Sequence, residues 1–583
     1  MRKVLPSSRR GIVRAVLLPL MLLPLMLPTA PAPAATSCAS PPTVFPVGQI
    51  RPGMTGSGLT TISGDTPVPF DIRVIGVAPS AIAPGFDLVF FEITGPQSFL
   101  DASHGFAAGM SGSPVYIQGR LAGATSYKYF PSGPAVGAFT PAQYMVDLVE
   151  GSSSAPSLPR SVHVNRSIRA SVARIAGIPA TETPSTAQRL AIPLGVTGVT
   201  GTRLQHLQNL LDRRHLPFVA YAAGAAPDAT SVVPTPLAPG QPMAAALSYG
   251  DVSYFGLATA TFACGSLDVG WGHPFFFNGP VTFGMNNADI ITVLDDPSGL
   301  YGPTKFGNLT EAHGTIVQDR LAGIVGQVGD LPPAAPVTTS FRNLDTGRSR
   351  SGETDILYQK GFWGAEIAGS HVFANLQLVF DQYGAGTLNI RYTIDGETAD
   401  GTPFTVQNRN MAYSAYDATS AAYKMVDAMY QLAFNRFEPV TFTSVHAEGE
   451  ISARRLEGTI TRIRTASSLQ PKLAERRVLR ARPGSRITIE TTLAPEDGGP
   501  NVVATMQMRV PAGARGLQTV MLRGGTARTR VRGRVRSFEQ LVVLLNGGDH
   551  PNDLIATGFG ARLTKAQDII VKGKGSFEVK IVS

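Results

Sequence analysis

Cysteine is almost absent from this 583-residue chain, which holds only Cys38 and Cys264. That excludes every four-cysteine metal site and leaves one disulfide as the most the chain can form with itself. Past residue 34 no apolar run approaches the roughly 20 residues of a membrane-spanning helix. No segment repeats at a fixed period, so solenoids and propellers are excluded. No cluster of His, Asp, Glu and Cys suggests a metal hydrolase, and no cofactor is expected. Charged residues are only 16% of the chain.

The first 34 residues read as an address. Arg2, Lys3, Arg9, Arg10 and Arg14 form a basic start, residues 15–27 are apolar but broken by Pro19 and Pro24, and Ala32-Pro33-Ala34 offers a small-x-small cleavage site. The expectation is export to the extracellular or envelope side of a bacterial membrane, by the general route or by the twin-arginine route that Arg9-Arg10 suggests. Removing the five basic residues of that segment from the total of 50 leaves 45 against 41 acids, near +4, so no nucleic-acid partner is expected. Two cysteines in an exported chain suggest a Cys38–Cys264 disulfide, with a lipid on Cys38 as the competing reading.

What is abundant is glycine (62) and proline (45), set among short aliphatic runs. This suits β-structure with many turns, and the length exceeds the ~250–300 residues of a single core, so several folding units are expected. Residues 45–150 carry strand-like runs at 59–63, 70–77, 87–94, 113–117 and 121–127. A helix is expected at 140–149, with Thr140 as its cap and Pro141 at its first position. Residues 151–190 read as a Ser/Pro/Ala/Arg-rich linker with room for a short helix. Leucines at helical spacing in 204–214 predict a helix, and 246–330 returns to strands. Residues 336–583 read as one or two β-sandwich units interrupted by helices near 421–434 and 537–545.

One hexapeptide points to chemistry: Gly109-Met110-Ser111-Gly112-Ser113-Pro114. A nucleophilic serine needs a turn that exposes its oxygen and small neighbours that let backbone N–H groups face a developing oxyanion. The segment resembles the Gly-x-Ser-Gly-Gly-Pro turn of chymotrypsin-like peptidases. Together with residues 53–77 upstream and 136–145 downstream, it resembles the Ser-bearing half of the sporulation stage-four protein B family of serine peptidases. Residues 256–275, with Gly272-His273-Pro274, and 314–326 resemble that family's His-bearing half, which there comes first. The resemblance therefore implies a permuted order, with Ser111 as nucleophile, His273 as general base 162 residues later, and backbone N–H groups from Gly109 to Ser111 as the oxyanion hole. Ser113 is the rival nucleophile, and His104, seven residues before Ser111, reads as a loop residue.

The family's Asp position falls on Gly95-Pro96, and Asp101 is off register. Asp319, 46 residues after His273, is the first choice for the third triad member, and Asp251 the second. The family's peptide-binding PDZ module is not recognisable, and the last 250 residues lie outside the resemblance. There Arg528, Arg530, Arg532, Arg534 and Arg536 alternate at period two. On a strand they would share one face, either a solvated edge or a contact for an anionic cell-surface polymer.

The fold expected is mainly β: a permuted chymotrypsin-like pair of half-barrels (45–150 and 191–335, joined by the 151–190 linker) followed by a C-terminal β-sandwich-like region (336–583). The function expected is exported serine endopeptidase acting on a protein or peptide. The alternative is an inactive peptidase-shaped envelope or binding protein, to which the missing carboxylate points.

Overall fold

The computed structural model describes Cys38 and residues 40–129, 135–149, 161–225, 229–296, 301–526 and 535–582. The expected export segment lies outside these residues, as do Arg528, Arg530, Arg532 and Arg534. Arg536 is exposed and stands just ahead of a helix, not in a strand.

The chain is mainly β, 50% strand and 17% helix, built on two closed six-stranded barrels. The first comprises β1 (Thr55–Thr60), β2 (Val68–Ala83), β3 (Phe86–Gly95), β4 (Pro114–Ile117), β5 (Arg120–Lys128) and β6 (Val136–Pro141). Around the barrel they run β1-β2-β3-β6-β5-β4, and β4 closes onto β1 through Ser57↔Tyr116 and Gly58↔Val115. Alternation drives this. In β2, Phe70, Ile72 and Val74 are buried while Asp71 and Arg73 face out. Helix α1 (Gln97–Ser103) lies between β3 and β4, and α2 (Ala142–Val149) follows β6. The expected cap at Thr140 is corrected: Thr140 and Pro141 end β6, and the helix begins at Ala142.

The described part of 151–190 is not a bare linker. It holds β7 (Ser161–His163), α3 (Arg166–Ala176) and β8 (Thr186–Arg189), which widen the first barrel's sheet in the order β5-β8-β7. Asn165 caps α3 by accepting the Ile168 N–H at 2.9 Å, and Ile168 and Val172 bury its inner face. A β-α-β unit follows: β9 (Ile192–Val196), α4 (Gly201–Arg213) and β10 (Phe218–Ala222), with β9 and β10 parallel.

The second barrel comprises β11 (Pro242–Ala246), β13 (Tyr254–Cys264), β14 (Leu267–Gly270), β15 (Gly279–Leu294), β16 (Thr304–Arg320) and β17 (Gly323–Val328), while β12 (Ser248–Gly250) leaves to join another sheet. Its ring runs β11-β13-β14-β17-β16-β15, the same first-second-third-sixth-fifth-fourth order as the first barrel. Cys38 and Cys264 form a disulfide with a Cα separation of 5.4 Å. It sits in an apolar cluster shared by Leu121 and Met145 of the first barrel region and Phe262 and Val325 of the second.

The C-terminal region is β-rich in two parts. The first is a six-stranded sheet, β12-β19-β18-β22-β20-β21, with β18 (Ala335–Asn343), β19 (Ser349–Ile356), β20 (Gly386–Thr398), β21 (Pro403–Ser414) and β22 (Val440–Ser452). Helix α5 (Trp363–Phe380) packs on β18 and β19 and against α6 (Tyr423–Ala433). The sequence reading passed over α5. Fifteen of its 18 residues are buried, so it shows no polar face and no amphipathic period. The second part is a sandwich of two five-stranded sheets around Ile487, Ile489, Leu493, Val520, Leu522 and Phe577. Helix α7 (Phe538–Asn546) docks against β21.

Candidate active site

Ser111 lies in the connection between the third and fourth strands of the first barrel, and His273 in the same connection of the second. The two loops meet. Ser111 Oγ is 2.7 Å from His273 Nε2, and both residues are 1% exposed. The other ring nitrogen, Nδ1, is 2.9 Å from the Pro274 carbonyl oxygen. A carbonyl only accepts, so Nδ1 carries the proton and Nε2 presents its lone pair to the serine hydroxyl. Ser111 therefore donates to His273, which is the tautomer a general base requires.

The nucleophile loop is held from the opposite barrel. Thr259 N–H donates to the Ser111 carbonyl at 2.8 Å, Thr259 Oγ1 to the Gly109 carbonyl at 2.9 Å, and Thr261 Oγ1 to the Gly112 carbonyl at 2.7 Å. Gly112 has φ +93°, and a Cβ there would stand 1.9 Å from the Thr259 carbonyl oxygen. Only glycine fits that approach. Among the described residues the buried N–H groups of Gly109 and Ser111 donate to no acceptor, while Met110 N–H is committed to the Ala107 carbonyl. Two open donors beside the nucleophile are what an oxyanion hole needs. They narrow the expected donor set from Gly109–Ser111 to its two ends.

Asp319 is not the third member of a triad. Its carboxylate accepts N–H groups of the loop after His273: Phe275 at 2.8 Å, Phe276 at 2.8 Å and Asn278 at 3.3 Å. Burial raises the Asp319 pKa, and those backbone donors oppose the rise. The spacing of 46 residues placed Asp319 in the right neighbourhood, on β16 beside the His273 loop. The carboxylate serves the loop's backbone instead of the ring. Asp251 lies elsewhere, paired with Arg350 at 3.0 Å. Asp101 is exposed on α1, where it accepts from Gln97. His104 ends α1 in the left-handed region at φ 53°. Ser113 is buried, and its hydroxyl has no partner among the described residues. The imidazole selects Ser111 over Ser113.

His273 is held neutral. Burial lowers its pKa to about 3, the positive charge of Arg189 adds to the drop, and the Pro274 carbonyl opposes it. The sequence reading missed Arg189, because β8 looked like linker. It also missed Lys305, a buried lysine whose Nζ donates to Thr60 Oγ1 at 2.8 Å and whose stem would crowd any Cβ at Gly109. Burial lowers the Lys305 pKa to about 7. No sequence pattern marks a lone lysine on a strand as buried.

Among the described residues no group of three or more His, Cys, Asp or Glu side chains gathers to hold a metal ion. A cavity of about 700 Å³ lies between α4, α5 and α6, lined by residues such as Arg203, Glu366, Phe373 and Tyr430, and neither Ser111 nor His273 lines it. Compared with known proteins, the chain matches no family model, no curated protein and no solved structure.

Proposed function

We propose that this protein is an exported serine endopeptidase of the sporulation stage-four protein B type, cleaving a protein or peptide substrate. The observation that carries the reading is the 2.7 Å contact between Ser111 Oγ and His273 Nε2, made by two barrels of like strand order. Ser111 attacks the scissile carbonyl as its proton passes to His273 Nε2. The oxyanion that forms is stabilised by the N–H groups of Gly109 and Ser111. His273 then protonates the leaving amine, and water hydrolyses the acyl-enzyme by the reverse exchange. The Pro274 carbonyl takes the orienting role that a carboxylate has in a triad. It fixes the tautomer but brings no full negative charge to balance the imidazolium. The Cys38–Cys264 disulfide suits an oxidising compartment and so supports export.

A second reading has one observation in its favour. Among the described residues no carboxylate is hydrogen-bonded to the His273 ring, so the chain can also be read as an inactive peptidase-shaped scaffold. Labelling with a fluorophosphonate decides between them. The peptidase reading expects covalent modification at Ser111, absent in Ser111→Ala and His273→Ala. A wild-type chain that neither labels nor cleaves casein under any condition is the scaffold.

A further inference from the structure

The strand β8 is added to the edge of β5, the strand that also anchors the nucleophile loop. Strand β5 starts beyond the nucleophile loop, and its Thr125 carbonyl accepts the Gly112 N–H at 2.8 Å. The next stretch of β5 then offers its backbone to β8 in antiparallel register, with Tyr127↔Arg189 and Lys128↔Gln188. The ladder continues one step toward the dyad, where Leu190 N–H donates to the Ser126 carbonyl at 3.0 Å. Leu190 is fully buried in the apolar cluster of the first barrel, which also contains Phe106, Met110 and Phe139. Arg189 is close enough for its charge to act on the His273 ring. Two residues after Leu190 the chain has crossed to the other barrel: Ile192 N–H donates to the Pro217 carbonyl at 2.8 Å, and β9 pairs β13. Peptidases take their substrates as added strands, with backbone bonds for affinity and a side-chain pocket for specificity. Thr186–Arg189 and Leu190 fulfil both roles from within the chain.

We propose that this segment is an internal substrate, and that the Leu190–Ala191 bond, which lies between the Ser126 and Pro217 anchors, is a self-cleavage site of the Ser111–His273 pair. This rests on the peptidase reading. Ser111 Oγ bonds to the Leu190 carbonyl carbon, and its proton goes to His273 Nε2. The Leu190–Ala191 C–N bond breaks as that proton passes to the Ala191 nitrogen. Water then hydrolyses the Ser111 ester, freeing a Leu190 carboxylate and restoring the hydroxyl. Among the described residues the Leu190 carbonyl makes no hydrogen bond to Gly109 or Ser111, so attack requires that carbonyl to move onto those two donors. Cleavage frees Leu190 and Arg189 to leave, which opens the groove to other substrates and withdraws the Arg189 charge from His273. The two pieces stay joined, because Cys38 lies in one and Cys264 in the other. The leucine and its groove also imply a preference for substrates with a medium-sized apolar residue before the cut.

The test is incubation of the purified chain at two concentrations tenfold apart, followed by reducing electrophoresis and N-terminal sequencing. The expected result is a single band without reductant and two with it. A new terminus should read Ala191-Ile192-Pro193 and form at a rate unchanged by dilution. It should be absent in Ser111→Ala and slowed at least tenfold in Leu190→Asp, with Leu190→Ala, a milder change, in between. A wild-type chain that stays joined at Leu190–Ala191, or is cut there at a rate that rises with concentration, overturns the inference. Fluorophosphonate labelling of Leu190→Asp and Leu190→Ala separates the two failures. If Ser111 labels while the wild-type bond stays whole, only the internal substrate is wrong. If Ser111 labels in no variant, the peptidase reading falls with it.

Discussion

The two barrels share one strand order, and each contributes one residue from the same connection, yet they hold that residue in different ways. In the first barrel the Ser111 turn is kept by glycine conformations and by threonines reaching across from the second. The carbonyls of Gly109, Ser111 and Gly112 are met by threonine hydroxyls and a backbone N–H, and among the described residues two N–H donors are left open. In the second, the residues after His273 are gathered onto one buried carboxylate, Asp319. On the proposed peptidase reading, the nucleophile loop must leave donors free for an oxyanion, whereas the base loop must fix one ring. Neutral clamps suit the first task. A charged clamp suits the second, because hydrogen bonds to a charged acceptor are about twice as strong as neutral ones.

The largest break in this comparison is loss of either reacting group. Ser111→Ala and His273→Ala should each lower fluorophosphonate labelling and casein cleavage by roughly 10⁴-fold or more, and the double variant should be no worse than either single one, because the groups act as a unit. Next is the covalent tie between the barrels. Replacing Cys264 by Ala releases a loop spanning 226 residues, and denaturant unfolding should show a loss of up to about 5 kcal/mol in the chain-entropy model.

The two clamps can then be compared directly. Asp319→Asn turns one acceptor into a donor facing N–H groups, and should cost about 2–4 kcal/mol of stability with a fall in labelling rate. Thr261→Val removes one neutral bond to the Gly112 carbonyl and should cost only about 1 kcal/mol. Equal losses for the two would mean that the clamps do not differ in kind.

The smallest expected change is the one that Arg189→Gln makes to the His273 titration. Since the folded His273 pKa is lowered to about 3, against about 6.5 when unfolded, the unfolded chain binds more protons between those values. The stability His273 confers is therefore fully present above about pH 6.5 and is lost as pH falls toward 3. In a Ser111→Ala chain followed by nuclear magnetic resonance, Arg189→Gln should move the His273 titration upward. No movement would show that burial acts alone.

Much of the architecture was legible because β-structure writes itself locally. Period-two alternation in β2 and the turn residues between β4 and β5 mark strands without reference to anything distant. The same holds for Ser111, whose small neighbours announce a turn that brings backbone N–H groups near a hydroxyl. Asp319 shows where legibility stops. Its separation from His273 placed it in the correct barrel beside the correct loop, but a spacing along the chain does not say whether a carboxylate meets a ring or the peptide groups next to it. Helix α5 was missed because complete burial removes the polar stripe that would reveal it, and β8 because its four residues look like any polar linker.

By itself the sequence determined the β-rich class and the single pair of cysteines able to join, since both rest on residue identity and short-range pattern, while the pairing of Ser111 with His273 across two barrels was an expectation drawn from the family resemblance. Only the tertiary structure decided that Ser111 and not Ser113 faces the imidazole, that the Pro274 carbonyl sets its tautomer, that Asp319 holds a loop, and that Leu190 is buried in the first barrel's apolar cluster. Apart from the Pro274 contact, which is one residue from the ring, these are matters of which groups meet across tens of residues, from 41 for Asp319 and Asn278 to 162 for Ser111 and His273. Such meetings are fixed by the closure of two barrels against each other, which no local preference encodes.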